Sequence, residues 1–260
     1  MKSNSLRSKI WKIWYLIIGS ILFNIYKKIY YLKNPKKKPM EVTINLQKIK
    51  NNEVIYCIGD SHVGLFRKKI INEKNNIFKV FHIGPATAYN LIKKNNNTNS
   101  NEKILKIIKE QIPKKSKVIL CFGEIDCRVH ILKQAKLYNK DWKKIVNNCV
   151  KRYILFIKNL KRKNYKIIVF GIAPSSPDNI IKNPNYPAYG DQITRNKVTE
   201  YFNNLLEKRA KREGFEFISI FKKLIDGEYR TILYYLEDGV HLSSKTKPFV
   251  IKELKKKRLI

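Results

Sequence analysis

Short apolar runs alternate with longer amphipathic stretches from residue 51 onward. We predict strands at 54–58, 77–83, 117–122, 166–172 and 215–221, and helices at 62–73, 101–111, 141–163, 192–213 and 246–258. The first, third and fourth apolar runs are continuous and rich in Ile and Val, as strands buried on both faces are. The alternation therefore predicts an α/β fold, with a mostly parallel sheet of five strands covered by helices on both sides.

The first 40 residues differ in character from the rest of the chain. They carry ten Lys/Arg and no acid, and within them the run from Ile13 to Tyr26 is uncharged. As a helix this run is about 21 Å long, shorter than the roughly 30 Å hydrocarbon core of a bilayer. Aromatic residues bracket it, however, and the flanking lysines can snorkel, as at a membrane interface.

We therefore expect an N-terminal hydrophobic helix that associates with a membrane through residues 10–31. The lysines that follow the apolar run place the main domain on the cytoplasmic side. The alternative is an amphipathic helix packed on the domain, in a soluble cytoplasmic protein. The prolines of 34–39 predict a linker, so the chain divides into a basic segment, 1–40, and a main domain, 41–260.

The formal net charge of +35 changes the range of partners. Such a charge attracts polyanions, including nucleic acid, anionic lipid and acidic polysaccharide. No zinc-finger spacing, aromatic RNA-binding motif or basic heptad accompanies it, so nucleic acid is not the favoured partner. None of the four cysteines lies in a C-x-x-C pair, which favours buried free thiols in a reducing compartment. The sequence calls for no metal and no cofactor.

Polar segments punctuated by glycine follow the predicted strands. Because the carboxyl ends of parallel strands meet at one edge of a sheet, these segments form the default candidate for an active site. They are Gly59-Asp60-Ser61-His62, Gly84-Pro85-Ala86-Thr87, Gly123-Glu124-Ile125-Asp126-Cys127-Arg128 and Ala173-Pro174-Ser175-Ser176.

Ser61 is the candidate nucleophile at this edge. A neutral serine needs a base to take its proton, and His241 is the histidine with the best orienting partner. Asp238 lies three residues before it, so one turn of chain can bring the carboxylate to Nδ1 and leave Nε2 free to face Ser61.

Taken together, the blocks resemble those of the SGNH (GDSL-like) hydrolase superfamily. The sequences GDSH (59–62), GPATA (84–88), GEIDCR (123–128) and DGVHLSS (238–244) stand in the order of that superfamily. The likeness runs from about Val54 to about Lys247 and is strongest to the branch whose third block reads GEIDCR. The resemblance implies a flavodoxin-like three-layer α/β/α sandwich and ester hydrolysis through an acyl-enzyme.

Carried over to this chain, the resemblance makes Ser61 the nucleophile, His241 the base and Asp238 the group that orients it. The backbone amides of Ser61 and Gly84 would form the oxyanion hole. The commoner third block is G-x-N-D, whose Asn donates a third hydrogen bond, whereas Ile125 stands at that position here and cannot donate. Either two amides suffice, or another group such as Arg128 replaces the missing donor.

Four further residues are candidates for substrate binding: Asp60, Glu124, Asp126 and Arg128. For the last three, a structural ion pair is an equal alternative, because they lie within five residues of one another.

The resemblance favours a serine esterase that removes acyl groups, in particular acetyl, from a carbohydrate or another small ester. Transfer of the acyl group to a sugar hydroxyl is a close alternative, since the same acyl-enzyme serves both reactions. A non-catalytic basic module that binds glycan or nucleic acid is the third. Ile125 favours that module, and the set of Ser61, Asp238 and His241 speaks against it.

Overall fold

The computed structural model describes residues 3–39, 54–68, 77–161, 164–178 and 187–260. Five strands form one parallel sheet in the order β2-β1-β3-β4-β5. This confirms the predicted sheet and its strands. The strands are β1 (Ile55–Gly59), β2 (Phe78–His82), β3 (Lys117–Cys121), β4 (Lys166–Phe170) and β5 (Glu216–Ile218).

Helices cover both faces of the sheet, as the predicted α/β/α sandwich requires. They are α1 (Ser3–Lys33), α2 (Ser100–Gln111), α3 (Ile131–Leu137), α4 (Trp142–Lys161), α5 (Gln192–Arg212) and α6 (Lys247–Lys256). Successive strand residues alternate between two apolar cores. Val118 and Leu120 of β3 pack with residues of α2, α4 and α5, whereas Ile119 and Cys121 pack with residues of α6. This alternation is why the central runs are apolar at every position.

Two elements differ from the sequence prediction. The helix expected at 62–73 is a 3₁₀ helix over Ser61–Arg67, and residues 69–76 lie outside the described part of the chain. After β3 the chain forms a π-helical turn, Asp126–His130, that leads into α3. The sequence analysis did not predict the π-helical turn or α3, because each holds too few residues to show a helical period.

The N-terminal helix α1 contains the whole apolar run, 13–26, and ends where Asn34 and Pro35 begin a short 3₁₀ turn. Its inner face packs on the domain, where Phe23 is only 2% exposed within the α6-side core. No helix in the described ranges has a stretch long and apolar enough to cross a bilayer. The boundary predicted at residue 40 lies outside the described residues and stays a prediction.

Gly59, at the end of β1, lies so close to the neighbouring strand β3 that a larger residue should not fit. A Cβ at this position would lie 2.5 Å from the carbonyl oxygen of Cys121, whereas a Cβ on Gly64 meets nothing within 4 Å. We expect Gly59→Ala to lower the free energy of unfolding by about 1–3 kcal/mol, the usual cost of overpacking. Gly64→Ala should change it by less than about 1 kcal/mol. Denaturant titration of both variants measures this, and equal losses would rule out crowding at Gly59 as the cause.

Candidate active site

Ser61 stands at the carboxyl end of β1, on the first residue of the 3₁₀ helix. The preceding Asp60 caps that helix, since its carboxylate accepts a 2.9 Å hydrogen bond from the amide of His62. Asp60 is 1% exposed, whereas Ser61 is partly open to solvent. The turn from strand to helix therefore raises the serine hydroxyl above the sheet edge while the capping carboxylate stays buried below it.

The segment that carries Asp238 and His241 folds into a tight turn built around the Asp238 carboxylate. Oδ1 accepts hydrogen bonds from the amides of Val240, at 2.9 Å, and His241, at 2.7 Å. Gly239 between them has a φ of +90°, a conformation that glycine adopts without strain. The same carboxylate reaches the ring with its other oxygen, because Oδ2 lies 2.7 Å from Nδ1 of His241.

The ring of His241 joins this turn to Ser61. Its Nε2 lies 2.9 Å from Oγ of Ser61, within hydrogen-bonding distance. The structure therefore brings the three residues predicted as nucleophile, base and orienting acid into one series of hydrogen bonds. Because the Asp238 carboxylate accepts a hydrogen bond from the protonated Nδ1, Nε2 is left as the acceptor that faces the serine.

The carboxylate of Asp238 keeps its charge in this setting. Burial alone would raise its pKa, but the hydrogen bond and charge of His241, together with the two amides, hold the pKa well below its usual range. An ionised Asp238 at neutral pH can stabilise a positive charge on the ring of His241.

Two lysines fasten the Asp238–His241 turn to the segment that carries Ser61. Nζ of Lys68 donates to the carbonyl of Leu242 at 2.8 Å and forms an ion pair with Glu237. Lys247, which is fully buried, donates from Nζ to the carbonyl of Lys68 at 2.6 Å. The sequence analysis did not single out these lysines, because their partners lie more than 160 residues away in the chain.

Gly84, predicted to share the oxyanion hole, lies in the loop directly after β2. The loop is held beside β1, since the amide of Ile83 donates to the carbonyl of Gly59 at 3.0 Å. Gly84 has a φ of +89°. Across the described residues, the amides of Ser61 and Gly84 donate to no other group. Both amides thus remain available to a ligand, and their role in an oxyanion hole stays a prediction.

Below the candidate site lies a buried ionic network from the third block. Oε1 of Glu124 lies 2.5 Å from Nε of Arg128, and Oε2 lies 3.3 Å from Nε2 of His62. Arg128 also donates from Nη1 to the carbonyl of Pro187. Burial would raise the pKa of Glu124, but the charges of Arg128 and His62 keep it well below its usual range.

Asp126 joins the loop after β2 to the loop after β3. Its carboxylate accepts hydrogen bonds from the amides of Ala88, at 2.7 Å, and Tyr89, at 3.3 Å. Burial raises the pKa of Asp126 to about 6, and that of Asp60 likewise to about 6. Like Glu124 and Arg128, both aspartates are at most 5% exposed. Substrate contact by these four residues stays a prediction, and the structure shows each of them bonded within the protein.

Comparison with known proteins finds similarity in structure alone. No family model and no curated protein matches the sequence. A candidate platelet activating factor from Streptococcus pneumoniae is 17% identical over 98% of this chain and 99% of its own, with a TM-score of 0.54. A candidate acylhydrolase from Bacteroides fragilis is 16% identical over 88% of this chain and 96% of its own, with a TM-score of 0.51. A GDSL-like lipase from Bacteroides thetaiotaomicron is 14% identical over 90% of this chain and 98% of its own, with a TM-score of 0.50.

The chain shares its α/β/α fold with these structures, one of which is a GDSL-like lipase. The sheet order, the helices on both faces and the end-to-end coverage of these structures agree on this point. The resemblance found in the sequence blocks is thereby confirmed at the level of the fold.

Two adjoining cavities open next to the third block. One, of about 480 Å³, is lined by residues that include Thr87, Ile125 and His130. The other, of about 580 Å³, shares Thr87 and His130 and extends to Gln134 and Lys144. Oγ1 of Thr87 is buried and has no hydrogen-bond partner in the described protein. Both cavities lie beside the loop after β2 that carries Gly84, and each is large enough for a ligand of sugar size.

Sequence analysis missed a set of buried polar residues on α5 that hold the loop after β4. Asn203 bonds the amide and the carbonyl of Ile172, and Asn196 accepts from the amide of Ser175 at 2.8 Å. Arg195, 1% exposed, donates to the hydroxyl of Ser175. The available signal was a polar stripe on the inner face of a predicted helix, where an apolar stripe is expected.

The ion pair between His62 and Glu124 predicts a dependence of stability on pH. Burial works to lower the pKa of His62, but the Glu124 carboxylate raises it above 6.5. The stability contributed by the charged ring is therefore complete below pH 6.5 and is lost as the pH rises through the higher pKa of the folded state. We expect the free energy of unfolding to fall over this range in the wild type, and to fall less in His62→Gln.

The matched control is His82→Gln. Burial lowers the pKa of His82, so this residue affects stability only below pH 6.5. The control should keep the wild-type slope above that pH in denaturant titrations. A His62→Gln slope equal to that of the wild type would contradict the ion-pair explanation.

Proposed function

We propose that this protein is a serine esterase that hydrolyses acyl esters, in particular acetyl esters on a carbohydrate, through an acyl-enzyme on Ser61. One observation carries the proposal: the unbroken hydrogen bonds from Ser61 Oγ to His241 Nε2, at 2.9 Å, and from His241 Nδ1 to Asp238 Oδ2, at 2.7 Å. This is the arrangement by which a base activates a neutral hydroxyl for attack on a carbonyl carbon.

In the first half of the reaction, Oγ of Ser61 attacks the ester carbonyl and its proton passes to Nε2 of His241. The ionised Asp238 stabilises the imidazolium that forms. The amides of Ser61 and Gly84 donate to the oxygen on which negative charge develops. Collapse of the tetrahedral intermediate breaks the bond to the alcohol, which takes the proton back from His241.

In the second half, water replaces the alcohol and the acyl-enzyme is hydrolysed by the same groups. His241 removes a proton from the water as its oxygen attacks the acyl carbon. The proton then returns to Oγ of Ser61 as the carboxylic acid leaves. Every proton therefore moves through Nε2, the nitrogen that Asp238 leaves unprotonated.

We place the proposed leaving group, a sugar, in the smaller cavity, whose lining includes Pro85, the residue after Gly84. Its lining includes Asn90 and His130, whose polar side chains are suited to sugar hydroxyls. The sequence resemblance to the GEIDCR branch supports a carbohydrate substrate. Two of the structures that share the fold are described as a lipase and a candidate acylhydrolase, which fits cleavage of an acyl ester.

Ile125 favours a second candidate, a module that binds a glycan without acting on it. Its side chain lines the smaller cavity at the position where a donor to the oxyanion is expected, and it offers only carbon. The experiments below separate the two candidates.

The full chain should hydrolyse p-nitrophenyl acetate and form a single adduct with a serine-directed fluorophosphonate. Ser61→Ala removes the nucleophile, so kcat/KM should fall by at least about 10³-fold and the adduct should be lost. Ser244→Ala, a neighbouring and partly exposed serine, is the matched control and should keep both. No turnover and no adduct from folded wild type would favour the binding module.

Ile125→Asn tests whether the missing third donor limits the rate. Removing one such donor from an oxyanion hole costs about 10²–10³ in kcat, and adding one without further adjustment should gain less. We expect kcat for p-nitrophenyl acetate to rise about tenfold with little change in KM. Ile125→Leu keeps the volume without a donor and should leave kcat unchanged. An equal kcat in both variants would mean that two amides suffice.

A further inference from the structure

Helix α1 turns large apolar side chains away from the domain. Nine of them are between 39% and 80% exposed. We call this set the outer stripe, and it consists of Trp14, Ile17, Ile18, Ile21, Leu22, Ile25, Tyr26, Ile29 and Leu32.

The outer stripe follows the helical period. Its members recur at spacings of three and four residues, so they share one side of the helix over about 27 Å. A helix that packs on a soluble domain normally turns its apolar side inward and its polar side to water. Here the inner side contributes Phe23 to the core and also carries polar contacts, whereas the outer side carries apolar residues that the domain leaves uncovered.

The inner side of α1 holds the helix against the candidate active site. Nζ of Lys27 donates to the carbonyl of Leu236 at 2.9 Å, and Nδ2 of Asn24 donates to that of Glu237 at 3.3 Å. The hydroxyl of Tyr31 accepts from the amide of Tyr234 at 2.9 Å. These contacts fix the orientation of the helix, so the outer stripe points away from the protein as a stable feature of the fold.

Two apolar partners could cover the outer stripe, a second copy of α1 or a lipid surface, and the charge of the N-terminal segment distinguishes between them. Residues 1–40 carry ten cations and no acid, and Lys28 and Lys33 are exposed on the helix. Pairing with a second copy of α1 would bring like charges together. A lipid surface that contains anionic headgroups covers the apolar side chains and also neutralises the lysines beside them.

We propose that α1 lies in the plane of an anionic lipid surface, with the outer stripe in the lipid and the inner side on the hydrolase domain. The orientation is in the plane because Asn24 and Lys27 hold the inner side of the helix on the domain, so that only the outer stripe can enter the lipid. It places the turn that carries Asp238 and His241 beside the membrane surface, since the helix bonds to Leu236 and Glu237 just before it.

Vesicle flotation tests the proposal with the full chain. The vesicles contain phosphatidylcholine with about one third phosphatidylglycerol. Wild type should float with the vesicles, float less with phosphatidylcholine alone, and be released by an alkaline carbonate wash. The Ile21→Asn/Ile25→Asn variant should bind at least about tenfold more weakly, because two aliphatic side chains leave the lipid.

The matched control is Leu137→Asn/Leu155→Asn, which changes two exposed leucines outside α1, 64% and 44% exposed. It should float as wild type does. Far-UV circular dichroism and hydrolysis of p-nitrophenyl acetate should be the same in the wild type and in both double variants, which shows that these variants fold. Ser61→Ala should float as wild type does, so loss of the esterase and loss of lipid binding are separate results.

Three outcomes would overturn the proposal. The first is a wild type that stays at the bottom of the gradient, or a double asparagine variant that floats equally well. The second is retention through the carbonate wash, which indicates a spanning helix. The third is a wild-type dimer in sedimentation experiments without lipid that dissociates in the Ile21→Asn/Ile25→Asn variant, which would assign the outer stripe to a second copy.

Discussion

The hydrogen bond between Ser61 and His241 joins positions 180 residues apart in the chain. A contact of this kind survives only if both segments are held independently, since one hydrogen bond contributes about 1 kcal/mol net. Packing at Gly59 and the cap of Asp60 hold the serine. The turn around Asp238 holds the histidine ring. Lys68 then bonds the two segments together directly.

The third block supports this arrangement from below. Its charged residues are buried, and burial of a charge is costly unless it is paired. Glu124 meets that requirement with Arg128 on one side and His62, the neighbour of Ser61, on the other. Asp126 bonds the amides of Ala88 and Tyr89, which fixes the loop that carries Gly84. The third block, in which Ile125 replaces the Asn of the commoner pattern, thus sets the relative positions of the two loops that carry Ser61 and Gly84.

The sequence predicted the features that depend on residues close together in the chain better than those that depend on residues far apart. The strands and the Asp238–His241 pair depend on local patterns, and they were predicted at nearly their observed positions. Lys247 and Arg195 were not identified, because a buried cation is recognised only by partners that tertiary folding supplies. The apolar run in α1 predicted a hydrophobic helix, but the sequence did not reveal which side faces the domain. That depends on contacts with residues more than 200 positions later.

These contacts also change how the N-terminal segment relates to the domain. The sequence analysis predicted a basic segment with a linker and, as the alternative, a helix packed on the domain. Phe23 of α1 is buried in the same apolar core as Leu236 and residues of α6. Without α1, this core would lose an aromatic side chain, and the carbonyl of Leu236 would lose the ammonium group of Lys27. Leu236 stands two residues before Asp238 and forms an isolated antiparallel bridge with Leu242. The inner side of α1 therefore supports the candidate active site. The outer stripe, which the domain leaves exposed, is the side that we propose to lie in the membrane.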